Sequence, residues 1–495
     1  MANSSSSIWK NWVVISTIVV IISAMIGLYL YNNTFRQAHA DLIETVPTDA
    51  NYIFQVNDNR SFVKDATPLL PYLVEIFNMS SFAGFEFFLD QLHGYNNPFI
   101  ISGHRNGDKQ SLLYSFKVPE RSFDQLLKKL NIDPRNFKSF ASDKIYTYGT
   151  HYKRFYFVFQ NGIFSISEDQ DLLKNSILQL KSMKNLLGNR YFNQIYEIVL
   201  KNTKQNWLII NNKTFFATLQ KGLKPEYQRI VNSSNPTPSW AAYQVRFESD
   251  EIHLSGYVTV DQAFTDALKT QERFSQDYPH ILPFNTHYYT HFNILNLPDF
   301  LKIFENQNSY KESIENYKLL QPTSATDFFL MQDTTVYHYI AFQCDTAHTS
   351  IASLLDEDSL TNSKTVFKNI PIYHSKLSTI VPHFNKRFRP IELSYFIQYD
   401  NFYLFANSIE ALSHYLKVIA HNNIESNPYF RFTKANLPSE NCFEYYLATS
   451  PDRSIGSYLM QDYVTSEVAK HLKLVSYSHS VIQDQLLSVN AFIKF

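Results

Sequence analysis

Cysteine and glycine are both scarce in this chain. Two cysteines, Cys344 and Cys442, among 495 residues exclude a disulfide scaffold, which needs several spaced pairs. Eleven glycines leave little for phosphate-cradling loops. No Walker loop, dinucleotide Gly-x-Gly-x-x-Gly or Gly-x-Ser-x-Gly elbow occurs. Charge is thin as well. Asp, Glu, Lys and Arg make up 18% of the chain and the formal net charge is −1, so no field of one sign recruits nucleic acid or an acidic partner. What the chain has instead is aromatic mass. Forty-one Phe and 33 Tyr demand burial and speak for packed structure over disorder. A chain of this length has room for about two to four domains with sizeable cores.

The clearest single segment is Val13 to Tyr31, which carries no charged residue. At 1.5 Å per residue it spans about 28 Å, close to the hydrocarbon thickness of a bilayer. Trp9 and Trp12 on one side, and Tyr29 and Tyr31 on the other, stand where interfacial aromatics belong. The expectation is a single-pass signal anchor over 13–31, a short cytoplasmic tail over 1–12, and a stalk over 32–45 leading to an exported ectodomain. The rival is a cleaved signal peptide, since Ala38-His39-Ala40 fits a small-x-small site. Against cleavage, the apolar run is longer than the core of a signal peptide.

Beyond the stalk the sequence repeats its landmarks. Asn189, Tyr191 and Phe192 recur as Asn427, Tyr429 and Phe430, an offset of 238. Pro47, Tyr52 and Asn57 recur as Pro283, Tyr288 and Asn293, offset 236. Asn161 matches Asn401 and Asp250 matches Asp484, while near Tyr339 the offset drops to 226. Anchors in one order at nearly constant spacing indicate a duplicated unit of about 230 residues. The fold class expected is therefore α+β: an N-terminal transmembrane helix, then two tandem, internally duplicated units of antiparallel sheet plus helices over 46–275 and 276–495.

Local patterns fill in the first unit. Tyr52 to Val56 alternates like a strand. Ser61 to Phe77 reads as a helix interrupted by Pro68 and Pro71, with Ser61 at the N-cap. Pro98 to Ser102 and Ser111 to Val118 form a hairpin around Asn106-Gly107. Ser122 to Leu130 has Phe123, Leu126, Leu127 and Leu130 at helical spacing, and Lys144 to Tyr148 is a further strand. This strand–helix–strand–strand–helix–strand order is that of a ferredoxin-like piece. A hairpin turning at Asn161-Gly162 precedes a helix with Ser167 and Gln170 as capping box, echoed by Asn407 and Glu410. Trp207 to Asn211, followed by Phe216, resembles Ile53 to Asn57 followed by Phe62, so each unit can be read as two related strand–helix–hairpin–helix pieces.

Chemistry is harder to find. His287 and His291 are four apart on an expected strand, about 13 Å between side chains, too far for one ion. Ser61-x-x-Lys64 matches a penicillin-enzyme tetrapeptide but lacks its companion motifs. Lys386 to Arg389 and Asp356 to Asp358 read as solvated charge, and Asn33, Asn78, Asn212 and Asn232 fit or adjoin sequon-like contexts, a pattern expected from the richness in Asn and Ser alone. No catalytic, cofactor-binding or metal-ligating residue is assigned, and no cofactor.

The stretch Glu44 to Ala50, leading into a strand that ends at Asn57, resembles uncharacterised single-pass envelope proteins of Bacteroidota-type bacteria, whose ectodomains begin with a Pro-x-Asp-Ala strand and carry duplicated α+β units. That resemblance implies an envelope location and no known activity. In the second copy Asp49 and Ala50 become Asn285 and Thr286, a departure from the pattern. The reading from sequence is a non-enzymatic binding or scaffolding module. It meets the membrane through residues 13–31, another envelope protein is its candidate partner, and nucleic acid is not. Two alternatives stand beside it: an exported hydrolase with a dispersed site, and a binder of lipid or another apolar ligand.

Overall fold

The structure, a computed structural model, describes residues 41–77, 82–91, 97–106, 109–149, 154–181, 185–219, 224, 240–260, 278–294, 326–335, 337–343, 365–367, 369–376, 379–380, 391–438, 441–450, 455–459, 466–481 and 485–495. The expected anchor at 13–31, Cys344, the charge runs at 356–358 and 386–389, Asn33, Asn78, Asn232 and Asp484 lie outside the described residues. No helix of the described residues is long and apolar enough to cross a membrane.

Two compact units emerge, Met1–Ala50 with Ser81–Leu186, and Asn51–Ser80 with Leu187–Phe495. They interleave in sequence, where the landmarks had placed a single division near 275. The segment that changes sides contains strand β1 (Tyr52–Val56) and helices α1 (Asn59–Ala66) and α2 (Leu70–Phe77). β1 pairs residue for residue with a strand at 207–211. Tyr52 and Phe77 also pack on Phe215. Long-range pairing therefore overrides sequence proximity. The helix over Ser61 to Phe77 is divided at Thr67–Leu69, a short 3-10 turn carrying Pro68. Its N-cap is Asp58, whose side chain accepts from the Ser61 amide, and not Ser61 as expected.

The first unit holds strands β2 (Phe99–Asn106), β3 (Lys109–Lys117), β4 (Lys138–Phe140), β5 (Asp143–Gly149), β6 (Arg154–Gln160) and β7 (Ile163–Ser167). Helices α3 (Phe82–Gln91), α4 (Glu120–Lys129) and α5 (Gln170–Lys181) cover them. The sheet runs β2-β3-β7-β6-β5-β4, antiparallel throughout. A ferredoxin-like piece requires a parallel crossover pair, so that expectation is corrected. The cause is the turn at Asn161 (φ 52°) and Gly162 (φ 77°). These left-handed residues turn the chain back tightly from β6 into β7, which takes the place beside β3. One face of the sheet is aromatic: Phe85 stacks on Tyr114 at 4.2 Å, while Phe88 and Phe123 pack around Phe157 and Phe164. The opposite face is lined by Leu113, Ile145 and Val158, which meet Leu172, Leu173 and Ile177 of α5. Serines lie beside that core, with Ser115 bonded to Ser165 and to Thr45.

The second unit continues with α6 (Arg190–Lys201), β8 (Trp207–Asn211), α7 (Asn212–Leu219), β9 (Trp240–Glu248), β10 (Glu251–Thr259), β11 (Thr286–Ile294), β12 (Thr326–Asp333) and β13 (His338–Gln343). It proceeds through β14 (Thr365–Phe367), β15 (Ile370–His374), the isolated pair β16 (Thr379–Ile380) and β17 (Ile391–Glu392), β18 (Tyr395–Tyr399) and β19 (Phe402–Ala406). α8 (Ile409–Ile419), α9 (Pro428–Asn436), β20 (Phe443–Ala448), β21 (Leu474–Val481) and β22 (Leu486–Lys494) complete it. One antiparallel sheet runs β1-β8-β9-β10-β22-β21-β20-β11-β12-β13-β19-β18-β15-β14.

Two correspondences stand out in these orders. The run β12-β13-β19-β18-β15-β14 has the order of β2-β3-β7-β6-β5-β4 in the first unit, and β11-β20-β21-β22 mirrors β1-β8-β9-β10. Register extends the match to residues: Leu113 faces Ser167 as Tyr339 faces Ala406. Leu113 and Tyr339 are separated by the 226 read near Tyr339, Ser167 and Ala406 by 239. The β18–β19 turn puts its left-handed residue at Asp400 (φ 51°), so Asp400, not Asn401, corresponds to Asn161. Caps follow suit. Asn189 accepts from the amides of Tyr191 and Phe192, and Asn427 from that of Tyr429. The helices after each hairpin are capped by Asp169 and Ser408, through the amides of Asp171 and Ala411. Ser167 and Asn407 had been expected there; Ser167 instead donates to the Leu112 carbonyl.

Candidate functional site

Three residues of the first unit form the arrangement closest to catalytic machinery. Ser102 and His104 are two apart on β2 and so share a face. The Ser102 hydroxyl lies 2.8 Å from His104 Nε2. On the other edge of the ring, Nδ1 is 2.9 Å from Asp49 Oδ1. Each ring nitrogen thus meets the partner it has in a Ser-His-Asp triad. The His104 hydrogen bond holds the Asp49 carboxyl below the usual range against the opposing pull of burial. Access differs from that of a triad. Ser102 is 0% exposed and His104 3%, and only the Asp49 side chain, at 57%, faces solvent.

Asp49 opens onto a cleft of about 460 Å³, formed by Pro47 and Thr48 on one wall and by Asn175, Leu178, Gln179 and Lys181 of α5 on the other. Its volume is in the range of small-molecule pockets, and its lining mixes polar and apolar surface. Lys181 is not free to serve a ligand alone, since its ammonium is 2.6 Å from Asp143. Leu178 is exposed to 47% and supplies an apolar contact. Chemically, the cleft offers one carboxylate, two amides and an aliphatic ledge, which suits a hydrogen-bond donor or cationic group.

The matching positions of the second unit sharpen the comparison. By strand register Ser102 corresponds to Met331 and His104 to Asp333. By the repeat offsets Asp49 corresponds to Asn285 and Asn175 to His414. His414 Nε2 lies 3.3 Å from the Asn285 amide and 3.4 Å from Asp333 Oδ2. An acid and a histidine again bracket the same loop, but they come from different positions, and no serine joins them.

A second polar cluster is buried in the second unit. Glu444 on β20, 0% exposed, accepts from Tyr289 at 2.5 Å and Tyr278 at 2.6 Å, and from Lys434 of α9 at 2.7 and 2.9 Å. Lys434 also meets the Tyr278 hydroxyl. Burial alone would raise the Glu444 pKa; Lys434 and the two phenols outweigh it and hold the carboxyl below its ordinary value. Burial in turn lowers Lys434. Next to them His291 stacks on Phe329 at 3.9 Å and is 2.9 Å from Asp327. Every oxygen of Glu444 is taken and nothing about it reaches solvent, so this cluster braces the core.

The residues weighed from sequence stay apart. His287 and His291 both lie on β11, as expected, and are buried. Ser61 binds back to Asp58 at a helix start. Asn212 is buried. The relay of Asp49, Ser102 and His104 escaped sequence reasoning because the carboxylate and the imidazole are 55 residues apart. The signal that existed was a Ser-x-His directly after the apolar run 99–101.

No protein-family model matches the chain, and no curated protein does. Among solved structures the chain is similar to crystal forms I, III and IV of TP0453, at 12, 9 and 10% identity. The matches cover 46, 46 and 45% of this chain and 81, 82 and 82% of that one, with TM-scores of 0.27, 0.26 and 0.26. A likeness at that level establishes neither a family nor a role.

Proposed function

We propose that this chain is a membrane-anchored, exported envelope protein that acts as a binding or scaffolding module, built from an internally duplicated α+β unit. The matched strand orders and registers support the duplication, and the uncharged run at 13–31 supports the anchor. One observation carries the functional reading. Asp49 and His104 pin the Pro47–Ala50 loop to its sheet, and Asn285, Asp333 and His414 converge at the matching loop with other residue types. A role kept while its chemistry is permuted is a clamp. The solvent-facing element is then the cleft between Pro47–Asp49 and α5, where a partner presenting donors or a positive charge would bind.

A second reading has its own observation: the triad-like order of Asp49, His104 and Ser102 favours an exported hydrolase whose serine is uncovered by movement of the 47–50 loop. The two readings part in one experiment. The full chain is treated with a fluorophosphonate probe beside Ser102→Ala. The binding-module reading expects no labelling above that of the variant; labelling that vanishes in Ser102→Ala overturns it in favour of the hydrolase. Extraction in mild detergent followed by mass spectrometry tests the apolar-ligand alternative, where stoichiometric co-purifying lipid would displace the proposal. Carbonate-resistant membrane association lost on deletion of 13–31 is expected of the anchor, and its persistence would refute that part.

A further inference from the structure

We propose that Glu248, Glu251 and His253 form a binding site for a divalent transition-metal ion of the zinc class. The three side chains are brought together by the β9–β10 hairpin. Ser249 (φ 28°) and Asp250 make its turn, so Glu248 and Glu251 face each other as a register pair. His253, two residues along β10, projects from the same face as Glu251. Among the described residues this is the one group of three His, Cys or carboxylate ligands whose donor atoms all lie within 4.8 Å of one another. His253 Nε2 is 3.1 Å from Glu251 Oε2 and 3.9 Å from Glu248 Oε2. Ligand atoms around a tetrahedral zinc with bonds of about 2.0–2.1 Å stand about 3.3 Å apart. Small rotations of the two carboxylates would complete such a triangle.

The outer contacts fit the same assignment. Each glutamate gives its other oxygen to a cation: Glu251 Oε1 is 2.5 Å from Lys494 Nζ and Glu248 Oε1 is 2.8 Å from Arg246 Nε. Carboxylates that ligate metals are characteristically held through their second oxygen in this way. Both Oε2 atoms are thereby directed to the imidazole. The His253 and Glu251 side chains are only 15% and 13% exposed while Glu248 is 49% exposed. The pocket is thus half-closed, with one side left for water or an exogenous ligand. One imidazole and two carboxylates would supply three protein ligands and leave a fourth position open.

The test uses the full chain, stripped with chelator and titrated with zinc by calorimetry and with cobalt by visible absorption. The remaining histidines of the 16 in the chain give a background, so the comparison is with His253→Asn and Glu251→Gln, and a Glu248→Gln/Glu251→Gln/His253→Asn variant. One saturable site is expected in the parent, weakened at least tenfold in each single variant and absent in the triple variant. Far-UV dichroism of the metal-free triple variant is expected to match the parent, since the hairpin ladder does not depend on these side chains. Saturable binding that survives the triple substitution, or none in the parent up to about 100 µM metal, overturns the assignment. The trio would then be a hydrogen-bonded cluster that holds no metal. If the triple variant fails to fold, Glu248→Gln alone, on the most exposed ligand, decides by the same tenfold criterion.

Discussion

His479 should make the second unit acid-sensitive in a way that one substitution removes. The residue sits on β21, 7% exposed, with its ring stacked on Phe443 at 4.9 Å and 10°. Neither ring nitrogen has a hydrogen-bond partner among the described residues. Burial pushes the imidazole down from 6.5 to about 4. The sign follows directly. Above pH 6.5 the ring is neutral in both folded and unfolded chains and contributes no pH dependence. As pH falls from 6.5 toward 4, the unfolded chain takes up a proton that the folded one refuses, and stability is lost. At pH 4.5 the penalty amounts to about 2.5 kcal/mol, from 1.36 kcal/mol per pKa unit less the fraction of folded protein already protonated. His479→Leu keeps an apolar body in the same space and cannot titrate. Losing the ring stack costs about 1 kcal/mol at every pH, so the comparison must be between slopes, not single values. Urea unfolding of the full chain followed by tyrosine and tryptophan fluorescence, at pH 7.5 and 4.5, gives both. The parent should lose about 2.5 kcal/mol more than the variant across that interval. Parallel losses within about 0.5 kcal/mol would refute the claim that this imidazole is buried neutral.

Other outcomes follow from the same geometry. Lys434→Met should cost about 3–5 kcal/mol near neutral pH because it strands the Glu444 carboxylate, whereas Lys434→Met with Glu444→Leu should recover most of it; equal unfolding midpoints for both variants would be contrary. The Lys434→Met deficit should shrink as pH falls, because burial without Lys434 raises the pKa of the Glu444 carboxyl and lets it take up a proton above its ordinary range, a trend readable in the same urea series. Asn189→Ala and Asn427→Ala should each cost about 1 kcal/mol, and the corresponding glycine variants only a few tenths. A deficit confined to one of the two asparagines would argue against equivalent caps. Gly256→Ala should destabilise by about 3 kcal/mol or more, because a Cβ there would overlap the Ala242 carbonyl across the β9–β10 pair; an unchanged unfolding midpoint would contradict the closeness of that pair.

The sequence carried the strands well, for an identifiable reason. Segments such as Trp207–Asn211 and Ile163–Ser167 are dense in β-branched and aromatic residues and are closed by turn residues, so their limits were legible to within a residue or two. The matched strand orders fall at spacings close to the landmark offsets, and turns and caps supplied those landmarks because they tolerate few residue types. The 226 seen near Tyr339 is the separation that the β3–β7 and β13–β19 registers require. Caps were misplaced by one to three residues at Asp58, Asp169 and Ser408. Ser, Asp and Asn crowd those boundaries, and only the backbone decides which side chain meets an orphan amide. The division into units was not legible either. β1 joins β8 across some 150 residues, and nothing local to Tyr52–Val56 announces that partner. The Asp49–His104–Ser102 relay and the Tyr278–Lys434–Glu444 brace failed to appear for the same reason: each draws on elements far apart in the chain.

The seam between β10 and β22 has a consequence for how the molecule is made. Ser255 faces Asn490 there, and the two positions correspond across the repeat, so the seam is a local axis of approximate two-fold symmetry. β22 lies downstream of every other described strand, yet it occupies the interior of the sheet, with β10 on one side and β21 on the other. Until β22 arrives, both neighbours present unpaired backbone edges, the template on which strands of other chains can add. Closing the seam joins residues more than 200 positions apart, such as Glu251 and Lys494, which makes it a slow step with a large entropic cost. A sheet whose interior strand is the last of the described strands in sequence thus keeps two backbone edges open until that strand is made. The order of synthesis is the reverse of what would shield those edges early.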